Sequence, residues 1–370
     1  MGAFRLGGGA AALCLAMGLA GTPSHAQIVI GQTAGITGPV ASSVNETIAG
    51  TKLLIDAVNA QGGVHGEPVE VVRLDDGFDP KRAGENGRAL IEDHKAVALF
   101  MTRGTPHTQA IIPHLDRHGV PLIGPSTGAM VLHKPLQRHV FNVRATYQRE
   151  AEKAVHHLST VGMTRIAVVH VTDSFGADAL EGARKGFAAA RIEPAAVVAA
   201  DRDKPDYAAI VPQLVQAQAQ AVVWIGSGTA VVEGVKALRK AGSAAQVVTL
   251  SNNASSGFIQ ALGDASRGVI VTQVFPNERS MATPMVKEAM GLARGKELSP
   301  AMLEGYASAK VLIEALRRAG PKPTRARILA ALEGMRDYDL GGLEVSYSPQ
   351  DHSGIDYADL SIISEGRFKR

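Results

Sequence analysis

Apolar runs of strand length alternate with helix-period segments along nearly the whole chain. The runs occupy residues 28–30, 69–74, 97–101, 121–123, 166–171, 195–199, 221–225, 247–250 and 269–272. Unbroken apolar runs belong to strands covered on both faces, which predicts parallel sheets flanked by helices and an α/β fold class. The helices between them carry one-sided stripes. Val44, Ile48, Thr51, Ile55 and Val58 share one face of the first, and Tyr306, Ala309, Ile313 and Leu316 share a face of a late one that stops at Gly320 and Pro321. A single open sheet would need about ten strands, near the limit for a twisted sheet, so two sheets in two lobes are expected.

The first 26 residues read differently. One Arg (Arg5) precedes an apolar Gly/Ala/Leu run to Ala20, and Ser24 and Ala26 put small residues at both positions that a signal peptidase tests. Cleavage after Ala26 would leave Gln27 first. The run is too short to span a membrane, and the sole cysteine, Cys14, lies inside it rather than at the cleavage point, which favours a soluble over a lipid-anchored product. The mature chain would have 370 − 26 = 344 residues and no cysteine, so a large core must hold it together without disulfides. With Arg5 removed, 37 basic residues face 35 acidic ones, without a run of like charge, and neither nucleic acid nor an anionic membrane is implied. The low aromatic content, 4%, also argues against a stacking platform for bases or sugars.

Several short motifs could carry chemistry. After the third strand, Thr102-Arg103-Gly104-Thr105-Pro106-His107-Thr108 forms a Gly/Thr/Pro turn into a helix, whose free N–H groups suit an anion. The same residues also read as an ordinary N-cap at Thr105 with Pro106 in the first turn. The GPSTG segment, residues 124–128, fits a nucleophile elbow with Ser126, and Asp351 and His352 follow in triad order. Pro125, Pro135 and the polar turn around Asp351 and His352 count against an esterase. Gly226-Ser227-Gly228 begins like a dinucleotide fingerprint, but Val231 stands where the third glycine belongs, so no nicotinamide or flavin is expected. His114 and His118, with His107 further back, have the spacing of a metal face. They lack the acid of a zinc-protease motif and read as solvated helix histidines, as do His156 and His157; no metal or other cofactor is expected.

Thr37, Gly38 and Pro39, the run DAVNAQGG at residues 56–63, Asp75, Asp76, Asp79 and Pro80, and GYASAKVLIEAL from Gly305 together resemble periplasmic solute-binding proteins of the branched-chain amino acid (leucine/isoleucine/valine) type, which serve ABC importers. The resemblance implies a type I two-lobed fold with a ligand cleft, crossed by the chain near residues 142–145, 273–277 and 341–345. The lobes would be 27–143 plus 275–343, and 144–274 plus 344–370. It implies a periplasmic, non-enzymatic monomer that closes on a small ligand and delivers it to permease subunits in the inner membrane.

By the same resemblance, Thr105, Ser126, Thr127 and Gly128 would hold the ligand carboxylate and Phe175 would cover the ligand. Ser227 and Gly228 would form the second-lobe edge of the cleft. Ser251, Asn252 and Asn253 stand where amino-acid binders of the family keep a carboxylate for the ammonium, so Asn252 would face the ligand with a neutral dipole. Asp173 could compensate from its own loop or serve as a helix cap. A carboxylate without an ammonium, an amide, and a ligand-sensing role in the same architecture stay open.

Overall fold

The computed structural model describes residues 1–3 and 27–370, so the expected signal segment falls, but for its first three residues, outside the described residues. The chain builds one parallel sheet first. β1 (Ile28–Ala34), α1 (Ala41–Ala60), β2 (Val69–Asp75), α2 (Pro80–Glu92), β3 (Ala98–Phe100), α3 (Thr105–His118), β4 (Leu122–Ile123) and β5 (Val140–Phe141) give the strand order β2-β1-β3-β4-β5. It then crosses into a second unit made of α4 (Tyr147–Thr160), β6 (Ile166–Val171), α5 (Ser174–Ala190), β7 (Ala196–Ala200), α6 (Tyr207–Gln216), β8 (Ala221–Ile225), α7 (Gly228–Lys240), β9 (Gln246–Thr249), α8 (Ser256–Leu262) and β10 (Ile270–Gln273).

From there the chain returns to the first lobe with α9 (Pro284–Ala293), α10 (Pro300–Ala319), α11 (Arg325–Glu333) and a small hairpin of β11 (Tyr338–Asp339) and β12 (Glu344–Val345). It ends in the second with β13 (Asp359–Ser364) and β14 (Arg367–Lys369). The second sheet runs β14-β13-β10-β9-β8-β6-β7, parallel except where β13 and β14 join antiparallel. Each of the nine apolar runs overlaps a strand. The C-terminal hairpin escapes a search for such runs because its residues alternate in burial, as a partly solvated antiparallel edge does.

The striped helices pack as their periodicity requires. Val44, Thr51, Ile55 and Val58 of α1 are buried and Ile48 half-buried, and Tyr306, Ala309, Ile313 and Leu316 of α10 are buried. The two helices touch backbone to backbone, since a Cβ on Gly50 would lie 1.9 Å from the carbonyl oxygen of Met302, and one on Gly305 would lie 2.0 Å from that of Thr47. The last passage between lobes comes later in the chain than the expected 341–345. Asp339 accepts hydrogen bonds from the N–H groups of Gly341 and Gly342, turning the chain back into β12, and Val345, Tyr347 and Ile355 then join the first-lobe core. Tyr347 Oη donates to the Asn142 carbonyl at 2.6 Å, and Ile355 N–H to that of Val143 at 3.0 Å. The chain leaves that core between Ile355 and the start of β13.

Candidate functional site

In open parallel sheets the strand C-terminal ends offer unpaired loops and helix N-termini, and ligands collect there. Both sheets present those ends to a common cavity. Its wall takes Phe78 from the loop after β2, Arg103, Gly104 and Thr105 from the segment after β3, Tyr147 as the first residue of α4, and Asp173 and Phe175 from the segment after β6. Arg202 after β7, Ser227 after β8 and Asn252 after β9 complete it, with Val40 and Val171.

The α3 N-terminus is built differently from the simple cap. Gly104 is the N-cap and Thr105 already the first helical residue, so the Thr105 hydroxyl is free to meet the Thr127 hydroxyl, 2.7 Å away. The N–H groups of Thr105 and His107 lie in the first turn, where no intrahelical carbonyl can reach them. Pro106 has none to satisfy.

Arg103 dominates the floor of the site. Its side chain is buried and donates to Ser126 Oγ at 3.0 Å, Ser43 Oγ at 3.0 Å and the Asn252 carbonyl at 2.7 Å. Burial depresses the pKa of its guanidinium from the ordinary value. Beside it, Tyr147 packs at a tilt against Phe175, with ring centroids 4.7 Å apart. On the other side Arg202 forms an ion pair with Asp173 and lies 4.6 Å from the centre of the Phe78 ring, which in turn stacks on His107 at 4.3 Å. Burial pushes the His107 pKa down to about 4, so the ring is neutral at physiological pH.

Behind the cavity the crossover carries a second buried arginine. Arg144 contacts Glu150 and Ser251 Oγ, and stands 3.5 Å from Glu304 of α10. Glu150 also accepts from the Ser251 N–H at 2.9 Å and from the Thr272 hydroxyl. Burial opposes the Arg144 charge, but Glu304 and Glu150 outweigh it and raise the pKa. This cluster ties both lobes to the crossover segment between β5 and α4.

The residues expected from the sequence fall into three places. Thr105, Phe175, Ser227 and Asn252 line the cavity. Ser126 and Thr127 sit just behind its wall, where Ser126 reaches Arg103 and Thr127 reaches Thr105. Gly128 packs on the crossover, its carbonyl accepting from Tyr147 N–H, and a Cβ there would lie 2.5 Å from the Ala145 carbonyl oxygen. Gly228 starts α7 and faces the outer groove beside Pro39 and Ser42. Asp173 is the N-cap of α5: Oδ1 accepts from Gly176 N–H at 2.9 Å and Oδ2 pairs with Arg202.

The sequence motifs assign no role to Arg103, Phe78, Tyr147 or Arg202. A lone cation where an apolar strand enters a Gly/Thr turn was the signal for Arg103. Nothing local marks the other three, which meet only when loops from both sheets converge.

Two other chemistries find no constellation. His352 stacks on Phe141 at 3.9 Å with Nδ1 near the Val140 carbonyl, and Asp351 accepts from Ser353 N–H, so neither reaches Ser126. Among the described residues no three His, Cys, Asp or Glu side chains are grouped to hold a metal; His118 instead meets Glu92 at 3.1 Å.

Comparison with known proteins places this architecture. The periplasmic binding protein family matches residues 27–364. A Leu/Ile/Val-binding protein homolog 3 of Brucella melitensis is 26% identical over 88% of this chain and 88% of its own length. The leucine-, isoleucine-, valine-, threonine-, and alanine-binding protein of Pseudomonas aeruginosa is 24% identical over 83% and 84%. A substrate-binding periplasmic protein from Ralstonia solanacearum, known from its crystal structure, superposes with a TM-score of 0.84 at 31% identity, covering 91% of this chain and 98% of that one. The chain belongs to the periplasmic binding proteins of type I, in the Leu/Ile/Val-binding protein family, whose members bind solutes and are not enzymes.

Proposed function

We propose that this protein is the solute-binding component of an ABC importer, capturing a small carboxylate by closure of its lobes and handing it to permease subunits in the inner membrane. The observation that carries this reading is the cavity shared by both sheets, where the α3 N-terminus and the buried Arg103 converge. A carboxylate fits that floor because first-turn N–H groups and a guanidinium both donate to anions. Apolar faces of Val40, Phe78, Tyr147, Val171 and Phe175 suit a compact aliphatic or aromatic body. The relatives named for leucine, isoleucine and valine make branched-chain and related skeletons the first candidates.

Closure is the mechanism because the wall comes from both lobes, so a ligand bridging them stabilises the joined form over the open one. A thermal-shift screen of amino acids, ammonium-free carboxylates, amides and sugars tests the reading. A ligand at a hundred times its Kd adds about 2.7 kcal/mol of stability, a shift that is easily read. Stabilisation by carboxylates and by none of the neutral compounds is expected; sugars or amides alone raising the Tm would overturn it.

A further inference from the structure

We infer that Arg103 is the anion receptor of the cleft, and that the ligand it selects is a carboxylate bearing no cationic group, rather than a zwitterionic amino acid. This rests on the carboxylate reading above and narrows it.

The Arg103 side chain meets only neutral oxygens, those of Ser126, Ser43 and the Asn252 backbone, and no carboxylate among the described residues comes within ion-pair distance of it. Dipoles alone compensate a buried cation incompletely, and an arriving carboxylate completes the pairing. Of its five N–H donors three are engaged in those contacts, which leaves capacity for a charge-assisted bond.

The nearby acids are all committed. Asp173 gives one oxygen to the α5 cap and the other to Arg202. Glu150 and Glu304 both face Arg144. The cavity wall therefore holds two guanidinium groups, Arg103 and Arg202, against one carboxylate that is already paired. An ammonium entering there loses its water, meets excess positive charge, and finds only neutral acceptors at Ser227 and Asn252. A plain carboxylate meets the opposite balance.

Calorimetry on the purified protein, stripped of bound solute by refolding, tests this with matched sets: leucine and phenylalanine, the keto-acid and des-amino analogue of each, and the amide of each des-amino acid. For at least one skeleton an ammonium-free acid should bind about tenfold or more tighter than the amino acid, and Arg103→Gln should weaken it by about a hundredfold with the Tm retained. Arg103→Lys should recover part of that loss, which a merely structural arginine would not require. An amino acid that binds tighter than both its analogues overturns the inference while leaving the carboxylate reading standing. So does an ammonium-free acid whose affinity Arg103→Gln leaves within threefold. If that variant fails to fold, the wild-type order of affinities decides. Amides that bind as tightly as their acids, or a panel with no binder, overturn both.

Discussion

Arg103 in the first lobe and Asn252 in the second are joined across the cleft by a 2.7 Å hydrogen bond from guanidinium to backbone carbonyl. The bond lies at the cavity wall, so the group that would meet an anion also draws the lobes together. Around it, Ser174 Oγ donates to Gln109 Oε1 at 2.7 Å and Thr229 Oγ1 to the Pro39 carbonyl at 3.2 Å. These polar contacts suit a surface that, under the closure proposed above, parts again to release its ligand. They also make closure separable from folding by mutation.

Glu46 is the clearest handle. From α1 it reaches across to α8, accepting from the N–H of Ser256 at 3.0 Å and of Gly257 at 2.9 Å. Glu46→Ala should leave the Tm of the ligand-free protein nearly unchanged and weaken ligand binding roughly five- to tenfold, the effect of about 1 kcal/mol removed from the closed form alone. Affinity unchanged in calorimetry, or a large drop in Tm, would show that Glu46 has no selective role in closure.

Gly257 tests the same surface by crowding. A Cβ there would lie 1.8 Å from Ser42 Oγ and 3.0 Å from Ser42 Cβ. The hydroxyl can rotate away, but the Cβ contact stays tight, so Gly257→Ala should cost the closed form about 1 kcal/mol. Adding Ser42→Gly should restore the lost affinity. Failure of the second change to rescue the first would place the defect within α8 instead of at the lobe contact.

At the crossover, breaking the buried ion cluster should be felt as stability. Glu150→Ala leaves the Ser251 N–H and the Thr272 hydroxyl without their acceptor and Arg144 with Glu304 as its one remaining carboxylate. Loss of one partner from a buried pair costs about 3 to 5 kcal/mol, and the lower end is expected because Glu304 remains. Chemical denaturation reads this out, with tryptophan fluorescence reporting the second lobe through Trp224. A change below about 1 kcal/mol would mean that the cluster is not a structural tie.

The sheets and the striped helices were legible in the sequence because burial writes itself into consecutive or periodic positions. The α10 stripe from Tyr306 to Leu316 and its stop at Gly320 are found where the pattern put them. The cleft was legible as a set of loops, and Thr105, Phe175, Ser227 and Asn252 do stand on its wall. Which loop atom faces inward was not, since that depends on partners far away in sequence. Ser126 lies behind the wall because Arg103 turns onto it, and Asp173 is spoken for because Arg202, from another loop, reaches it. The late return to the second lobe was hidden for a similar reason: the turn at Asp339 carries the chain back onto the first core before it leaves.

The protein should also lose stability on mild acidification, by an amount that single variants dissect. Burial pushes His107 and His133 down from about 6.5 to about 4. Between those values the unfolded chain binds protons that the folded one refuses, so their contribution is present above pH 6.5 and lost as pH falls toward 4. Burial raises Asp76 to about 6, and it acts with the opposite sign: its contribution is present below the ordinary aspartate range and lost as pH rises through 6. Each group is worth roughly 3 kcal/mol across its window. His133→Asn should therefore flatten the fall in stability between pH 6.5 and 4, whereas Asp76→Asn should steepen it by removing the opposing group. Denaturant midpoints across that range would refute the assignment if both variants kept the wild-type slope or if the two moved it in the same direction.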